Sequence, residues 1–113
     1  MQNTTIEVRI EGSTGTLYAA SFSRVGSNLK TSCTCPAGDK GIHCKHRLAL
    51  FAGDLAQVRG DTRSDLAQQI AAMLDGTEVE TALRAFATAE SEARTAADIL
   101  KRAKKKLDRV MHQ

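Results

Sequence analysis

The chain has 113 residues, a length typical of one domain with room for an extension. Aromatic residues make up 4% of it and tryptophan is absent, so we expect a small core that needs a staple such as a metal site. No apolar run approaches the ~20 residues of a membrane-spanning helix, and the N-terminus lacks the basic segment and apolar run of a signal peptide. These features argue against the membrane and secreted classes.

The formal net charge of +3 is unevenly distributed along the chain. Residues 1–50 carry six basic and three acidic groups, whereas residues 51–100 carry four basic and nine acidic groups. Residues 101–113 are strongly basic, with six cations against Asp108 alone. The chain therefore has two positive ends and a negative middle.

Three segments in the first third of the chain are predicted strands. Residues 5–11 alternate apolar and polar side chains, which is the period of a half-buried strand. The turn residues 12–15 separate them from a second strand over 16–23, and the turn residues 25–28 precede a third that runs from Leu29 into Cys33. We expect a three-stranded antiparallel sheet.

The four candidate metal ligands follow the third strand with the spacing C-x-C, eight residues, then C-x-H: they are Cys33, Cys35, Cys44 and His46. Three thiols and one imidazole form a closed Cys₃His zinc site, and soft thiolates disfavour magnesium and calcium. Ordinary buried cysteines or a redox pair are the alternatives, but the usual C-x-x-C redox motif is absent and an odd number of cysteines argues against a disulfide framework. His43 stands close enough in sequence to compete for the metal.

The segment 5–55 resembles the SWIM-type zinc finger, whose pattern is C-x-C…C-x-H with a strand before it and a helix after it. The resemblance includes Pro36 after the second cysteine and the triplet Cys44-Lys45-His46. It implies one structural zinc ion. Fingers of this type occur in transposases, chromatin-remodelling ATPases and recombination-associated proteins, and are thought to bind DNA or protein.

The local geometry of the ligands can also be predicted. Side chains two apart on a strand share a face, so both sulfurs of C-x-C can point at the metal, with Thr34 turned away. Residues 38–41 are expected to form a loop, and a helix should run from the second ligand pair to about Ala52, with Gly53 as its stop.

Three cations lie close to this site in the sequence: Lys40, Lys45 and Arg47. A zinc ion with three thiolates and a neutral imidazole has a net charge of −1, which these cations would offset. The same side chains could instead contact phosphate, and the sequence does not separate the two roles.

The rest of the chain, residues 56–113, is predicted to be a helical extension of the finger at 1–55, which makes the fold class α+β. A helix over 63–75 ends at Gly76, and Thr77-Glu78-Val79-Glu80 is a capping box that starts a long, coiled-coil-like helix over 78–111. The link is so short that the two helices either fold back as a helical hairpin or join with a bend. The long helix has an unbroken heptad register, a pattern typical of coiled coils. Its two core positions are filled by Val79, Phe86, Ala93, Leu100 and Leu107, and by Ala82, Ala89, Ala96, Ala103 and Val110.

This long helix is a candidate for binding another protein or for homo-oligomerisation through residues 78–111. At ~1.5 Å per residue it would span roughly 50 Å, more than the preceding short helix can cover. An alanine-rich helix that frays at its end is the alternative, because alanine has a high helix propensity.

The end of the same helix carries six cations in nine residues: Lys101, Arg102, Lys104, Lys105, Lys106 and Arg109. Such a run is often a solvated helix end that complements the helix dipole. Six cations exceed what the dipole needs, so a phosphate-binding role is the second interpretation.

No nucleophile–base pair and no pair of acids can be placed, so we expect a protein that is not an enzyme. We favour a nucleic-acid-binding module, with DNA as the expected partner, because both the finger and the end of the chain are basic. The alternative is a protein-interaction adaptor that uses the finger and the alanine-rich helix. Reduced cysteines indicate an intracellular location, in the cytoplasm or in the nucleoid or nucleus.

Overall fold

A computed structural model describes residues 3–112, in which three antiparallel strands precede four helices. The strands form a sheet in the order β1-β2-β3 and confirm the predicted α+β class. Their bounds are β1 (Asn3–Glu11), β2 (Leu17–Val25) and β3 (Asn28–Cys33). The helices are α1 (Pro36–Asp39), α2 (Lys45–Phe51), α3 (Leu66–Leu74) and α4 (Glu78–Met111).

The register of the sheet places the buried apolar side chains of all three strands on one face. Val8 lies opposite Ala20, and Ala20 in turn lies opposite Cys33, so the third strand brings its cysteine onto the buried face. A two-residue turn joins β2 to β3, where Gly26 adopts a positive φ of 63° that favours glycine. The predicted alternation of the first strand is confirmed by three buried side chains, Ile6, Val8 and Ile10.

Helices α2 and α3 cover this apolar face. Phe22 is fully buried in β2, and its ring meets that of Phe51 edge to face at a centroid distance of 5.3 Å. The other helical residues of this core are Leu50, Leu66, Ile70 and Met73. Because α3 shares the core of the sheet, the first compact unit of the chain ends only at Glu80, and the second begins at Thr81. The predicted boundary at residue 55 lies inside the first unit.

Residues 54–61, between α2 and α3, add to the edge of the sheet. Val58 forms an antiparallel bridge with Ile10. Its neighbours Gln57 and Arg59 each make a 2.9 Å backbone hydrogen bond with β1. This half of the edge strand is therefore covered, which removes unpaired backbone groups from solvent.

Helix α3 begins at Leu66, later than the predicted residue 63, because the preceding residues form their own hydrogen bonds. The carboxylate of Asp61 accepts from the backbone N–H and the guanidinium of Arg63. These bonds hold the pKa of Asp61 at about 2. Such local side-chain bonds compete with a helical start.

The predicted bounds of the long helix, 78–111, agree with α4. The predicted capping box is present in modified form: Thr77 Oγ1 accepts from the N–H of Glu80 at 3.3 Å, but the Glu80 carboxylate accepts from Gly76 rather than from Thr77. The Thr77 N–H instead donates to Leu74 O. Along the described residues 3–112, no helix combines the length and apolar character needed to cross a membrane.

Arg24, at the end of β2, fixes the C-terminus of α3 through contacts that the sequence does not predict. Its Nε donates to Gly26 O at 2.7 Å. Its Nη1 donates to three backbone carbonyls at that helix end, those of Ala72, Met73 and Asp75, at 3.0, 3.1 and 2.7 Å. A cation at this position also complements the negative end of the helix dipole.

We therefore expect Arg24→Met to destabilise the zinc-loaded protein by about 1.5–3 kcal/mol, the usual range for hydrogen bonds to a charged donor. The measurement is the free energy of unfolding in urea. Arg9→Met, on the exposed side of β1, is the matched control and should change that free energy far less. Equal effects of the two substitutions would contradict the assigned role of Arg24.

Candidate metal centre

The four predicted ligands converge on one buried point. Cys33 is the last residue of β3, Cys35 and Cys44 are the N-caps of α1 and α2, and His46 lies in the first turn of α2. Their ligand atoms all lie within 4.8 Å of one another, and all four residues are buried. A tetrahedron of sulfurs at the usual zinc–sulfur distance has edges of about 3.8 Å, so only a small contraction separates this cluster from zinc geometry.

The first ligand pair is held differently from the prediction that one strand carries both cysteines. The strand ends at Cys33, and Cys35 belongs to the start of the next helix. Thr34 still pairs with Ala19, because its N–H donates to Ala19 O at 3.1 Å and its Oγ1 accepts from Ala19 N–H at 2.9 Å. Thr34 is exposed while both cysteines are buried, so its predicted outward orientation is confirmed.

The single helical turn α1 overlaps the start of the loop that was predicted over residues 38–41. Pro36 occupies its first position, where a missing N–H costs nothing. The N–H of Gly38 donates to Cys35 Sγ at 3.4 Å, so the sulfur caps the turn. A Cβ on Gly38 would lie 1.9 Å from Cys33 O, which means that only glycine lets this turn pack against the end of β3.

The second ligand pair lies at the start of α2, as predicted, and Gly53 follows the C-cap of that helix with a φ of +81°. His46 is 5% exposed, and its ring lies 5.4 Å from that of Tyr18. Neither of its ring nitrogens has a hydrogen-bond partner among the described residues. A buried imidazole without a partner is costly, and coordination of a metal by one nitrogen removes part of that cost.

Arg47 stabilises the thiolate of Cys44. Its backbone N–H donates to Cys44 Sγ at 3.5 Å and its Nε at 3.3 Å. Its remaining nitrogens donate to Thr31 Oγ1 at 3.0 Å and to Ile42 O at 2.6 Å. Of the two roles that the sequence left open for Arg47, the structure shows the first, a cation that offsets the charge of the site.

The pKa values of Cys33 and Cys44 shift in opposite directions. Burial raises the pKa of the Cys33 thiol from 9.0 to about 12. Burial acts on Cys44 in the same direction, but the hydrogen bonds from Arg47 outweigh it and hold the pKa of that thiol below 9.0. Burial and the charge of Lys45 lower the pKa of His46 below 6.5, so its imidazole is neutral at pH 7. Because Cys33 must lose its proton to bind zinc, the zinc affinity falls as the pH decreases.

The remaining predicted site residues lie outside this cluster. His43 is exposed and is not among the four converging ligands. Lys40 and Lys45 are also exposed, at the end of α1 and at the start of α2. The six cations of residues 101–109 are exposed along the last turns of α4, which belong to the second compact unit. Sequence reasoning identified all four ligands but missed the sulfur caps and the contacts of Gly38.

We expect one zinc ion per chain, whose removal by a strong chelator unfolds the finger, because binding of a structural metal supplies folding free energy. Metal analysis and circular dichroism measure the two effects. Cys35→Ser and His46→Ala should each lose the zinc, whereas His43→Ala should retain it. A finger that remains folded without zinc would contradict this assignment.

Removal of the Arg47 side chain tests the hydrogen bonds to Cys44. Partners of metal ligands typically contribute ~10–100-fold to metal affinity, so Arg47→Ala should weaken zinc binding by that factor. Competition with a chromophoric zinc chelator at pH 7 provides the measurement. Lys40→Ala, an exposed cation near the site, is the control. If both variants bind zinc as tightly as the wild type, the hydrogen bonds of Arg47 are not important for the site.

Comparison with known families identifies the segment that carries the cluster. Residues 7–52 match the family model of the SWIM zinc finger, and this range includes all four ligands, the sheet that precedes them and helix α2. Neither the curated proteins nor the solved structures gave a match to the chain. The donor set, the convergence of its atoms and the unpartnered imidazole fit one structural zinc ion. Residues 7–52 of this chain are a SWIM zinc finger.

Proposed function

We propose that this chain is a non-catalytic module that binds DNA, in which the zinc finger is a rigid platform and exposed cations contact phosphates. The observation that carries the proposal is the basic run at the end of α4, which has six basic residues against Asp108 alone between residues 101 and 109. All seven side chains are exposed. A concentration of one sign of charge attracts the phosphate backbone and releases its counterions.

The zinc cluster supports a structural rather than a catalytic role. Its four protein ligands complete a tetrahedral site and leave no open position for water or substrate. The hydrogen bonds from Arg47 and Gly38 are directed at the ligand sulfurs, where they stabilise thiolates rather than a reacting group. These features fit a structural metal site that stabilises a small fold.

Within the finger, we assign phosphate contact to Lys40 and Lys45, which are exposed at the end of α1 and at the start of α2. Arg47 is a weaker candidate, because its guanidinium already donates to Cys44, Thr31 and Ile42. Contacts of this kind position a protein on DNA without reading its sequence. The proposed binding is therefore independent of sequence.

An adaptor function is the second candidate, and the exposed apolar side chains of α4 favour it. Leu100, Leu107 and Val110 are 55%, 57% and 54% exposed. An apolar stripe of this kind on a helix is typical of a surface that binds another helix. The adaptor hypothesis expects negligible DNA affinity near physiological salt and loss of a protein partner on mutation of Phe86 or Leu100.

The test is a salt titration of binding to duplex DNA. On duplex DNA, each neutralised phosphate adds about 0.9 to the slope of log affinity against log salt. Replacement of Lys101, Arg102 and Lys105 by Gln should therefore lower the slope by roughly two to three units. The loss should be similar on unrelated DNA sequences, because phosphate contacts carry no sequence information.

Arg94→Gln is the control, since Arg94 lies on the same helix outside the basic run. It should leave the slope unchanged. A slope that is the same in the triple variant and the wild type would exclude DNA contact by this helix. No measurable DNA binding near physiological salt would favour the adaptor function.

A further inference from the structure

Helix α4 exposes more large apolar side chains than is typical of a helix that is surrounded by solvent. None of its residues, all of which the structure describes, is buried. Six large apolar side chains on it are between 40% and 66% exposed: Phe86, Ile99, Leu100, Leu107, Val110 and Met111. Scattered single apolar residues are normal on a surface, but all six lie at the two core positions or the two flanking positions of one heptad register. Together with the alanines between them, they form a continuous apolar stripe, which is typical of a surface that packs against another helix.

We propose that this stripe pairs with α4 of a second copy of the chain, antiparallel, with residue 98 of both chains at the same height along the pair. The paired segment is residues 86–110, which is about 37 Å of helix. It lies wholly in the second compact unit, so the pairing requires no rearrangement of the zinc finger. The core layers and the flanking charges both favour this arrangement.

The four core layers formed by the two leucines of this register each match a large side chain with a small one. Leu100 lies opposite Ala96 of the second copy, and Leu107 lies opposite Ala89. In these layers a large side chain fills the space that an alanine leaves. The other layers join Phe86 with Val110 and Ala93 with Ala103.

The flanking positions match as well. In an antiparallel pair, each flanking position faces the same position of the other helix. The register centred on residue 98 places Glu90 opposite Lys104 and Glu92 opposite Lys106, twice each by symmetry. Its other flanking pairs within residues 86–110 are apolar: Ala97 with Ala97 and Ile99 with Ile99. Charges at these positions set the partner and the orientation of paired helices.

Other arrangements lose this complementarity. A parallel pair places Glu92 opposite Ala97 and Lys104 opposite Ile99, and it stacks Phe86 on Phe86 beside layers of alanine alone. It also aligns the two basic runs, which repel each other. An antiparallel pair shifted by one heptad, centred between residues 94 and 95, places Glu92 opposite Ile99. In neither arrangement does a flanking glutamate meet a flanking lysine.

The first test is the mass in solution, measured by sedimentation equilibrium without DNA. The wild type should have twice the chain mass of 12.2 kDa. Leu100→Asp should have the single-chain mass, because it places an unpaired charge in the seam. Ser91→Asp, on the side of α4 opposite the seam, should keep the double mass. A wild type that remains a single chain up to millimolar concentration overturns the proposal.

The second test addresses orientation and register. The variant Glu90→Lys/Glu92→Lys and the variant Lys104→Glu/Lys106→Glu should each be monomeric, because each opposes like charges at all four flanking contacts. Mixed in equal amounts, they should form a heterodimer, since every contact then joins opposite charges. Retained zinc shows that the finger of each variant is folded. Self-association of either variant alone, or a mixture that stays monomeric, overturns the antiparallel register.

These outcomes do not depend on DNA binding. The variants of the salt titration change Lys101, Arg102 and Lys105, which point away from the seam in this register. The dimer can therefore fail while DNA binding persists, and DNA binding can fail while the dimer persists.

Discussion

The constraint on which this structure depends is that three sulfurs and one nitrogen must meet at a single buried point. Cys33, Cys35 and Cys44 belong to the same core cluster as the apolar residues of the sheet, so the metal site is an extension of the hydrophobic core. Helix α1, by contrast, has no buried residue and only four residues in all. Apolar burial therefore contributes little free energy to the ordering of this turn. Binding of zinc by the cysteines on either side of the turn in the sequence contributes the folding free energy instead. The chain thereby builds a stable finger from very few aromatic side chains.

Two of the same sulfurs also accept hydrogen bonds from backbone N–H groups at the starts of helices. The first N–H groups of a helix have no partner within the helix, and an oxygen of Ser, Thr or Asp usually accepts from one of them. In this protein, Cys35 and Cys44 take that position in α1 and α2, and each sulfur accepts from the N–H three residues later. One atom thus binds the metal and starts the helix that positions the next ligand. The hydrogen bonds from Arg47 favour the thiolate form of Cys44 that zinc requires.

The sequence predicted what depends on local patterns and missed what depends on packing. Alternation along β1, glycine turns, the cap at Thr77 and the bounds of α4 follow from local patterns, and their predictions are confirmed. The pairing that the heptads of α4 indicate stays a prediction. The ligands were predictable because their spacing is itself the motif. The contacts of Arg24 with Ala72 and Met73 join residues 48 and 49 positions apart, and no local pattern contains them. Helix α1 has a glycine among its four residues, so its helix propensity is too low for the sequence to predict it. The turn forms because the sulfur of Cys35 caps it and because Gly38 fits closely against the end of β3.

The two proposals for α4 use different faces of one helix. In the antiparallel register, Lys104 and Lys106 face glutamates of the second copy, whereas Lys101, Arg102, Lys105 and Arg109 point outward. Pairing therefore neutralises the cations that lie nearest the seam and leaves four for phosphate. The two copies of residue 105 lie about 21 Å apart along the helix axis, one on each side of the midpoint of the pair. In a parallel pair, the basic runs of the two copies would repel each other. The antiparallel pair separates these runs and also leaves both outward clusters available to bind phosphate.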